Sequence, residues 1–139
     1  MRSFEGLRPI ITEHFYMDWL TEFKLQSVID FQKQQDEKAD IMSTSNFINA
    51  IMNDIMSQKG LLWGVMDKET KHFVGVAGIS NLQSDDPIVN VNVLNISTDA
   101  ELELIRRIIQ FKHQYWPDKN SQFNISPLND EIKAAIDAL

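Results

Sequence analysis

The sequence predicts one α/β domain on a mixed sheet, antiparallel strands first and then a parallel strand-helix-strand unit. Three observations lead there. Apolar runs of strand length occupy 61–66, 72–80 and 88–96 with short polar connectors between them, the pattern of consecutive antiparallel strands. A helix-length amphipathic segment and a short run at 122–126 follow, so the last strand should return in parallel after a right-handed crossover. With 139 residues, 43% of them hydrophobic, the chain can fill one core but not two.

Taken in order, Leu7, Arg8, Pro9, Ile10 and Ile11 read as a short strand, which Pro9, lacking a ladder donor, confines to a sheet edge. Thr12 offers a cap to a predicted helix in which Phe15, Tyr16, Trp19, Leu20 and Phe23 recur at helical spacing. Over 25–40 the pattern weakens. Val28, Ile29 and Phe31 support a turn or two of helix, and the polar stretch 32–40 predicts a solvated, mobile loop or frayed helix end. Ser43, Thr44 and Ser45 supply capping hydroxyls for a helix whose Phe47, Ile48, Ile51, Met52, Ile55 and Met56 share one face and which Gly60 ends. That stripe reads as core rather than as a ligand face.

Asp67-Lys68-Glu69-Thr70-Lys71 has hairpin length, and 81–87 is a polar turn. Within 88–96, Asn90 and Asn92 alternate with Val89, Val91 and Val93, so one strand face is polar. Thr98 or Asp99 caps a helix that carries Leu102, Ile105, Ile108, Ile109 and Tyr115 and stops at Pro117. The run 122–126 is a last strand, and 129–139 a last helix with Ile132, Ala135, Ile136 and Leu139 inward.

Composition narrows the function. Lys plus Arg total 13 against 20 Asp plus Glu, and the resulting charge of −7 repels polyanions, so no nucleic-acid partner is expected. The absence of cysteine excludes disulfides and thiolate metal sites. The first residues lack the apolar run of a signal peptide and no stretch has the length of a membrane span, so the expectation is a cytoplasmic protein with no membrane contact. His14, His72 and His113 are too scattered for metal-ligand spacing, and no metal is predicted. Gly75 and Gly78 lie inside a strand with no helix after them, which points to close backbone packing or a bulge rather than a phosphate loop. Ser97, Ser126 and His113 do not form a nucleophile triad, because no nucleophile elbow is present.

The element order, with Leu7-Arg8-Pro9-Ile10, Trp19-Leu20, Leu62 to Thr70 (LWGVMDKET) and Phe73 to Ile79 (FVGVAGI), resembles the GNAT N-acetyltransferase superfamily, most closely its ribosomal-protein N-acetyltransferase-like branch. The resemblance covers nearly the whole chain and implies a GNAT-like fold as a single domain over 1–139, shortened at the C-terminus so that the family's last strands are missing. It also implies acetyl-CoA as cofactor, a primary amine on a small molecule or peptide as acceptor, and a cofactor cleft lined by Val91, Val93, Asn95, Ile96, Ser97 and Thr98 and touched by Asn129. The resemblance would put Asn90, Asn92 and Asn124 beside that cleft, and the alternative, slightly favoured, is that they are ordinary solvent-facing strand positions. The family's proton-donating tyrosine is matched here by Ile136, and Glu13, Asp85 and Asp86 are conceivable bases, among which the sequence does not choose, so the catalytic residue is unknown.

The turn before the 98–115 helix departs from the family's glycine-bearing cofactor motif. Asn95-Ile96-Ser97-Thr98-Asp99-Ala100 contains no glycine and no base, and Asp99, Glu101 and Glu103 use the helix dipole for the helix itself. For a diphosphate about 6 Å from such a carboxylate, Coulomb's law at an effective dielectric near 20 gives on the order of 3 kcal/mol of repulsion per charge pair. Weak or absent acetyl-CoA binding is the expectation unless Arg106, Arg107 or Lys112 compensate. Two functions therefore stand side by side: a GNAT-like N-acetyltransferase, and a catalytically lapsed binding or regulatory module with the same fold. An uncovered edge at 122–126 predicts a homodimer or partner strand there.

Overall fold

The computed structural model describes Phe4 and residues 6–139; Met1, Arg2, Ser3 and Glu5, part of the segment read as lacking a signal, lie outside the described residues. Six strands form one sheet in the order β1-β2-β3-β4-β5-β6, with β1 Ile10–Ile11, β2 Phe15–Trp19, β3 Leu61–Asp67, β4 Phe73–Ser80, β5 Ile88–Val93 and β6 Gln122–Ser126. Neighbours from β1 to β5 pair antiparallel, and β5 pairs with β6 in parallel. The helices are α1 Leu25–Gln35, α2 Ile41–Met56, α3 Thr98–Tyr115 and α4 Asp130–Asp137. The mixed α/β architecture expected from the sequence is therefore present.

One predicted element is wrong. The segment after Thr12 is not a helix but strand β2, paired with β3 from Phe15↔Asp67 to Trp19↔Trp63. Phe15, Met17 and Trp19 all lie in the core, and Asp18 on the opposite face is also buried, accepting bonds from Arg8 Nη1 at 3.1 Å and Tyr16 Oη at 2.8 Å. Phe15, Met17 and Trp19 alternate with Tyr16 and Asp18 at strand spacing, but the apolar and aromatic residues that continue to Leu20 and Phe23 fit a helical period over the same stretch. The strand at 7–11 shortens to Ile10–Ile11, at the sheet edge as Pro9 requires.

Smaller corrections concern the helix ends. Residues 32–35 continue α1 as its solvent-facing end, leaving a connector only from Asp36 to Asp40. Helix α2 is capped by Asp40, whose carboxylate accepts from Ser43 N while Ser43 Oγ accepts from Asp40 N, a reciprocal capping box. It ends at Met56, with left-handed Gln58 rather than Gly60 turning the chain. Ser97, not Thr98 or Asp99, caps α3. Strand β5 stops at Val93, and Leu139 is exposed rather than inward.

Alternation along β5 divides the molecule into two layers. Val89, Val91 and Val93 are fully buried in the cluster that contains Leu104, Ile105 and Ile108 of α3 and Ile132 of α4. Asn90 and Asn92 point to the other face, toward α1 and α2. Trp63 anchors the α3 layer, stacked on Trp19 at 6.0 Å and edge-on to Phe111 at 5.0 Å, with its indole N–H donated to the Leu7 carbonyl. Strands β3, β4 and β5 approach closely at the two glycines of β4: a Cβ on Gly75 would lie 2.2 Å from the Asn92 carbonyl oxygen, and one on Gly78 2.0 Å from that of Leu61. Gly75 also has φ +155°, a conformation side chains resist. Close packing, with a register shift between Val65 and Met66, is thus the role of this pair.

Candidate functional site

The seam between β5 and β6 is paired from Ile88↔Gln122 to Asn92↔Ser126 and then opens. Two local causes part the strands. Pro127 follows Ser126 and has no N–H with which to extend the ladder. On the other side Leu94 N donates to Val74 O, keeping the chain with β4, and Asn95 at φ 62° turns it into α3. Asparagine tolerates this left-handed geometry better than most residues, so it does here what a glycine would do. The N-termini of α3 and α4 follow directly on the two diverging ends.

Ser97 caps α3 by accepting from Ala100 N at 3.1 Å, and its carbonyl takes Glu101 N. Asn129 caps α4 through Ile132 N at 2.8 Å and donates its amide to Thr98 Oγ1 at 3.2 Å. That last bond spans the gap between the two helix N-termini. Of the residues assigned to a cofactor cleft, Thr98 and Asn129 therefore form a clasp across the opening. Asn95, Ile96 and Ser97 line a cavity of about 930 Å³, Val91 borders a second of about 410 Å³, and Val93 belongs to the core.

The larger cavity lies between the flank of α3 that carries Asp99, Glu103, Arg106 and Arg107 and the turn Thr12 to His14, with Asp67 beside it; none of its lining residues comes from β6 or α4. At its centre is a cluster the sequence did not reveal. Glu103 Oε2 accepts from Thr12 Oγ1 at 2.5 Å and from His14 N at 3.0 Å, while Oε1 lies 2.6 Å from His14 Nδ1. The hydrogen bond and charge of Glu103 raise the His14 pKa. Burial pushes the Glu103 carboxyl up, but the bonds from His14 and Thr12 outweigh it and hold its pKa low. Both shifts favour the charged forms of the pair, and a protonated His14 would partly neutralise the acidic face of the cavity from within. Glu13, His14 and Glu103 also bring potential ligand atoms within 4.8 Å of one another. Both Glu103 oxygens and Nδ1 are engaged, and Nε2 lies 4.0 Å from Glu13 Oε1, which leaves fewer uncommitted protein ligands than a zinc centre uses.

Of the cations considered for a diphosphate, Arg106 and Arg107 line this larger cavity, and Lys112 is buried with its ammonium on the Lys119 carbonyl. Glu101 is not part of the acidic surface. It is 1% exposed, its Oε2 has no partner, and burial pushes its pKa up to about 7.

The smaller cavity opens on the other face of the sheet, against the seam itself. Phe31, Phe47 and Ile51 form its apolar side, and β5 and β6 supply Asn90, Asn92, Asn124 and Ser126. Phe47 and Ile51 are thus only half-buried and border a cleft, where the sequence pattern had placed them in the core. Gln35 and Asn92 exchange two hydrogen bonds, 2.8 and 3.0 Å, across it. Asn124 donates to Asn90 at 3.3 Å, and Asn90 to Ser80 Oγ at 2.9 Å. Asp54 is its one lining carboxylate. Asp85 and Asp86 sit in the β4–β5 connection and line neither cavity, and of the three candidate bases only Glu13 borders one, the larger.

No protein-family profile matches this sequence, and no curated protein matches it. Solved structures do match in fold. A candidate GNAT-family acetyltransferase from Bordetella pertussis superposes with TM-score 0.75 at 9% identity, covering 94% of this chain and 86% of that one. An acetyltransferase from Agrobacterium tumefaciens gives 0.70 at 12%, covering 99% and 85%. A candidate ribosomal-protein-serine acetyltransferase from Vibrio cholerae gives 0.69 at 14%, covering 91% and 79%. At such identities the likeness is one of fold: this chain has the architecture of the GNAT acetyltransferases. Among the described residues no helix is long and apolar enough to cross a membrane.

Proposed function

We propose that a chain with this fold transfers acetyl from acetyl-CoA to a primary amine, with the donor at the parting of β5 and β6 and the amine in the smaller cavity. The observation that carries the reading is the seam. Its strands separate after Asn92 and Ser126, two helix N-termini follow on the separating ends, and a cavity opens against the same strands on the α1–α2 side. Helix N-termini present unpaired N–H groups and the positive dipole end, which suits an anionic tail. Ser97, Thr98 and Asn129 would hold that tail, with Asn129 released from Thr98; the fit rests on their hydroxyl and amide donors, since no glycine cradle is present. Acetyl-CoA, when bound, supplies a thioester-activated acetyl group. The chain's own contribution is positioning. Asp54 accepts from Lys59 N through its carbonyl, and its carboxylate, with no hydrogen-bond or ion-pair partner among the described residues, would attract the ammonium and accept its proton. Tyr16 and Tyr115 line neither cavity, so no tyrosine is offered to the leaving thiolate.

The second reading, a lapsed binding module, has its own observation: the Thr98–Asn129 clasp closes the gap beside an acidic first turn. Calorimetric titration with acetyl-CoA decides between them. Micromolar binding that Thr98→Glu abolishes, with acetylation of an amine panel, supports transfer. No heat at millimolar acetyl-CoA, for the native chain and for Asn129→Ala with its clasp removed, rejects transfer and leaves the module.

A further inference from the structure

The smaller cavity has a chemistry specific enough to name a class of ligand. Its floor is a strip of neutral side-chain amides that are only partly satisfied. Each primary amide carries two N–H groups and an oxygen with two lone pairs. Gln35 and Asn92 each use one N–H on the other, leaving one N–H apiece, and the Asn124 oxygen has no bond within the strip. Ser126 adds a hydroxyl at the end of the seam. The free groups are thus donors and acceptors interleaved, with no net charge, and the partner that matches both at once is a hydroxyl group.

Two further features restrict the ligand. The opposite side is apolar, with Phe31, Phe47 and Ile51, and would cover a carbon framework. The lining contains one carboxylate, Asp54, and no Lys or Arg, so it favours a single positive charge and offers nothing to an anion. A polycation would find one counter-charge only. A purely apolar amine would cover the amide strip without bonding it, and sites built to hydrogen-bond a ligand reject analogues that lack the partner group. The volume of about 410 Å³ lies within the range of about 300–1,000 Å³ usual for small-molecule sites.

We propose that this cavity binds a compact primary amine bearing several hydroxyl groups, its ammonium at Asp54 and its hydroxyls on Gln35, Asn92 and Asn124. The proposal gives the acceptor class for the transfer reading and rests on it for the word acceptor, but the binding itself needs no donor.

The test is titration of the full chain with D-glucosamine, D-glucose and cyclohexylamine in the absence of acetyl-CoA, followed by the side-chain amide signals of Gln35, Asn92 and Asn124 in NMR. Glucosamine should bind at least tenfold more tightly than either of the others and shift those amides. Asp54→Asn should remove most of the preference over glucose, and Gln35→Ala, at an exposed helix end, should weaken glucosamine several-fold while the chain still unfolds cooperatively, with Tm lowered only by the loss of its two exposed bonds to Asn92. Equal affinity for cyclohexylamine, shifts confined to other residues, or no binding of glucosamine at millimolar concentration would each overturn the proposal. Binding without acetylation would reject transfer alone, and acetylation of other amines without glucosamine binding would reject this ligand class alone.

Discussion

Glu101 makes the stability of this protein depend on pH in a direction opposite to that of most carboxylates. Its side chain is buried on α3 with one oxygen unpartnered, and burial raises its pKa from 4.5 to about 7. A folded-state pKa above the unfolded one means that the folded chain holds the proton more tightly. Stability is then greatest below about pH 4.5 and declines as pH rises to about 7, above which the whole cost of ionising a buried acid is present. At 1.36 kcal/mol per pKa unit that cost is about 3 kcal/mol, a large share of the roughly 5–15 kcal/mol that holds a domain folded. The dipole at the start of α3 works the other way, but at about 0.3–1 kcal/mol it is the smaller effect. Glu101→Gln keeps the shape and removes the ionisation. Urea unfolding of both proteins at pH 4 and pH 8.5 should show near-equal stability at the lower pH and a variant about 3 kcal/mol more stable at the higher, or roughly 10 °C in Tm. Other groups that titrate over this range cancel in the difference. A gap between the proteins that does not change with pH would refute the reasoning, as would a variant less stable at pH 8.5.

Three more perturbations probe the fold and the larger cavity. Glu103→Gln should lower the His14 pKa seen by NMR titration. The pair's contribution should be lost both as pH rises through the raised pKa of His14 and as it falls through the lowered pKa of Glu103, so stability curves of variant and native chain should converge at both extremes. Gly78→Ala places a methyl 2.0 Å from the Leu61 carbonyl oxygen, where only backbone can yield, and should cost about 3 kcal/mol in urea unfolding. Ser97→Ala removes the α3 cap and should cost about 1 kcal/mol, with faster amide exchange at Ala100.

Most of the sheet could be read from the sequence because its strands keep one face polar or end at clear turn signals. β6 was placed at its observed limits, and the alternation of Asn90 and Asn92 with valines correctly separated the two faces of β5. β2 was misread because Phe15, Tyr16, Trp19, Leu20 and Phe23 also fit helical spacing, although Phe15, Met17 and Trp19 alternate with Tyr16 and Asp18 as a five-residue strand should. Helix α1 was underestimated for the reverse reason: Gln32 to Gln35 carry no apolar signal because they face solvent or the smaller cavity. The turn from Asn95 to Ser97 was legible because it is local. The site was illegible where it depends on distant contacts: His14 and Glu103 are 89 residues apart, and Gln35 and Asn92 are 57 apart. Glu101 looked like a surface charge favouring the helix dipole, and only packing reveals it as a buried acid.

The far end of the β5–β6 seam is fastened by several loop contacts where, among the described residues, the near end is spanned by the single Thr98–Asn129 side-chain bond. The Lys119 ammonium reaches the carbonyls of Leu82 and Ser84, both at 2.7 Å, while Asn120 bonds the Asp85 carbonyl and the Asp86 carboxylate and Gln122 N bonds the Pro87 carbonyl. These links rivet the loop before β6 to the loop before β5. The strand pair is therefore built like tweezers, with a fixed joint at the loops and jaws at Asn92 and Ser126. Any widening to admit a guest must be largest at the jaws and vanish at the joint, so the pivot lies a full strand length from the place where the guest would sit.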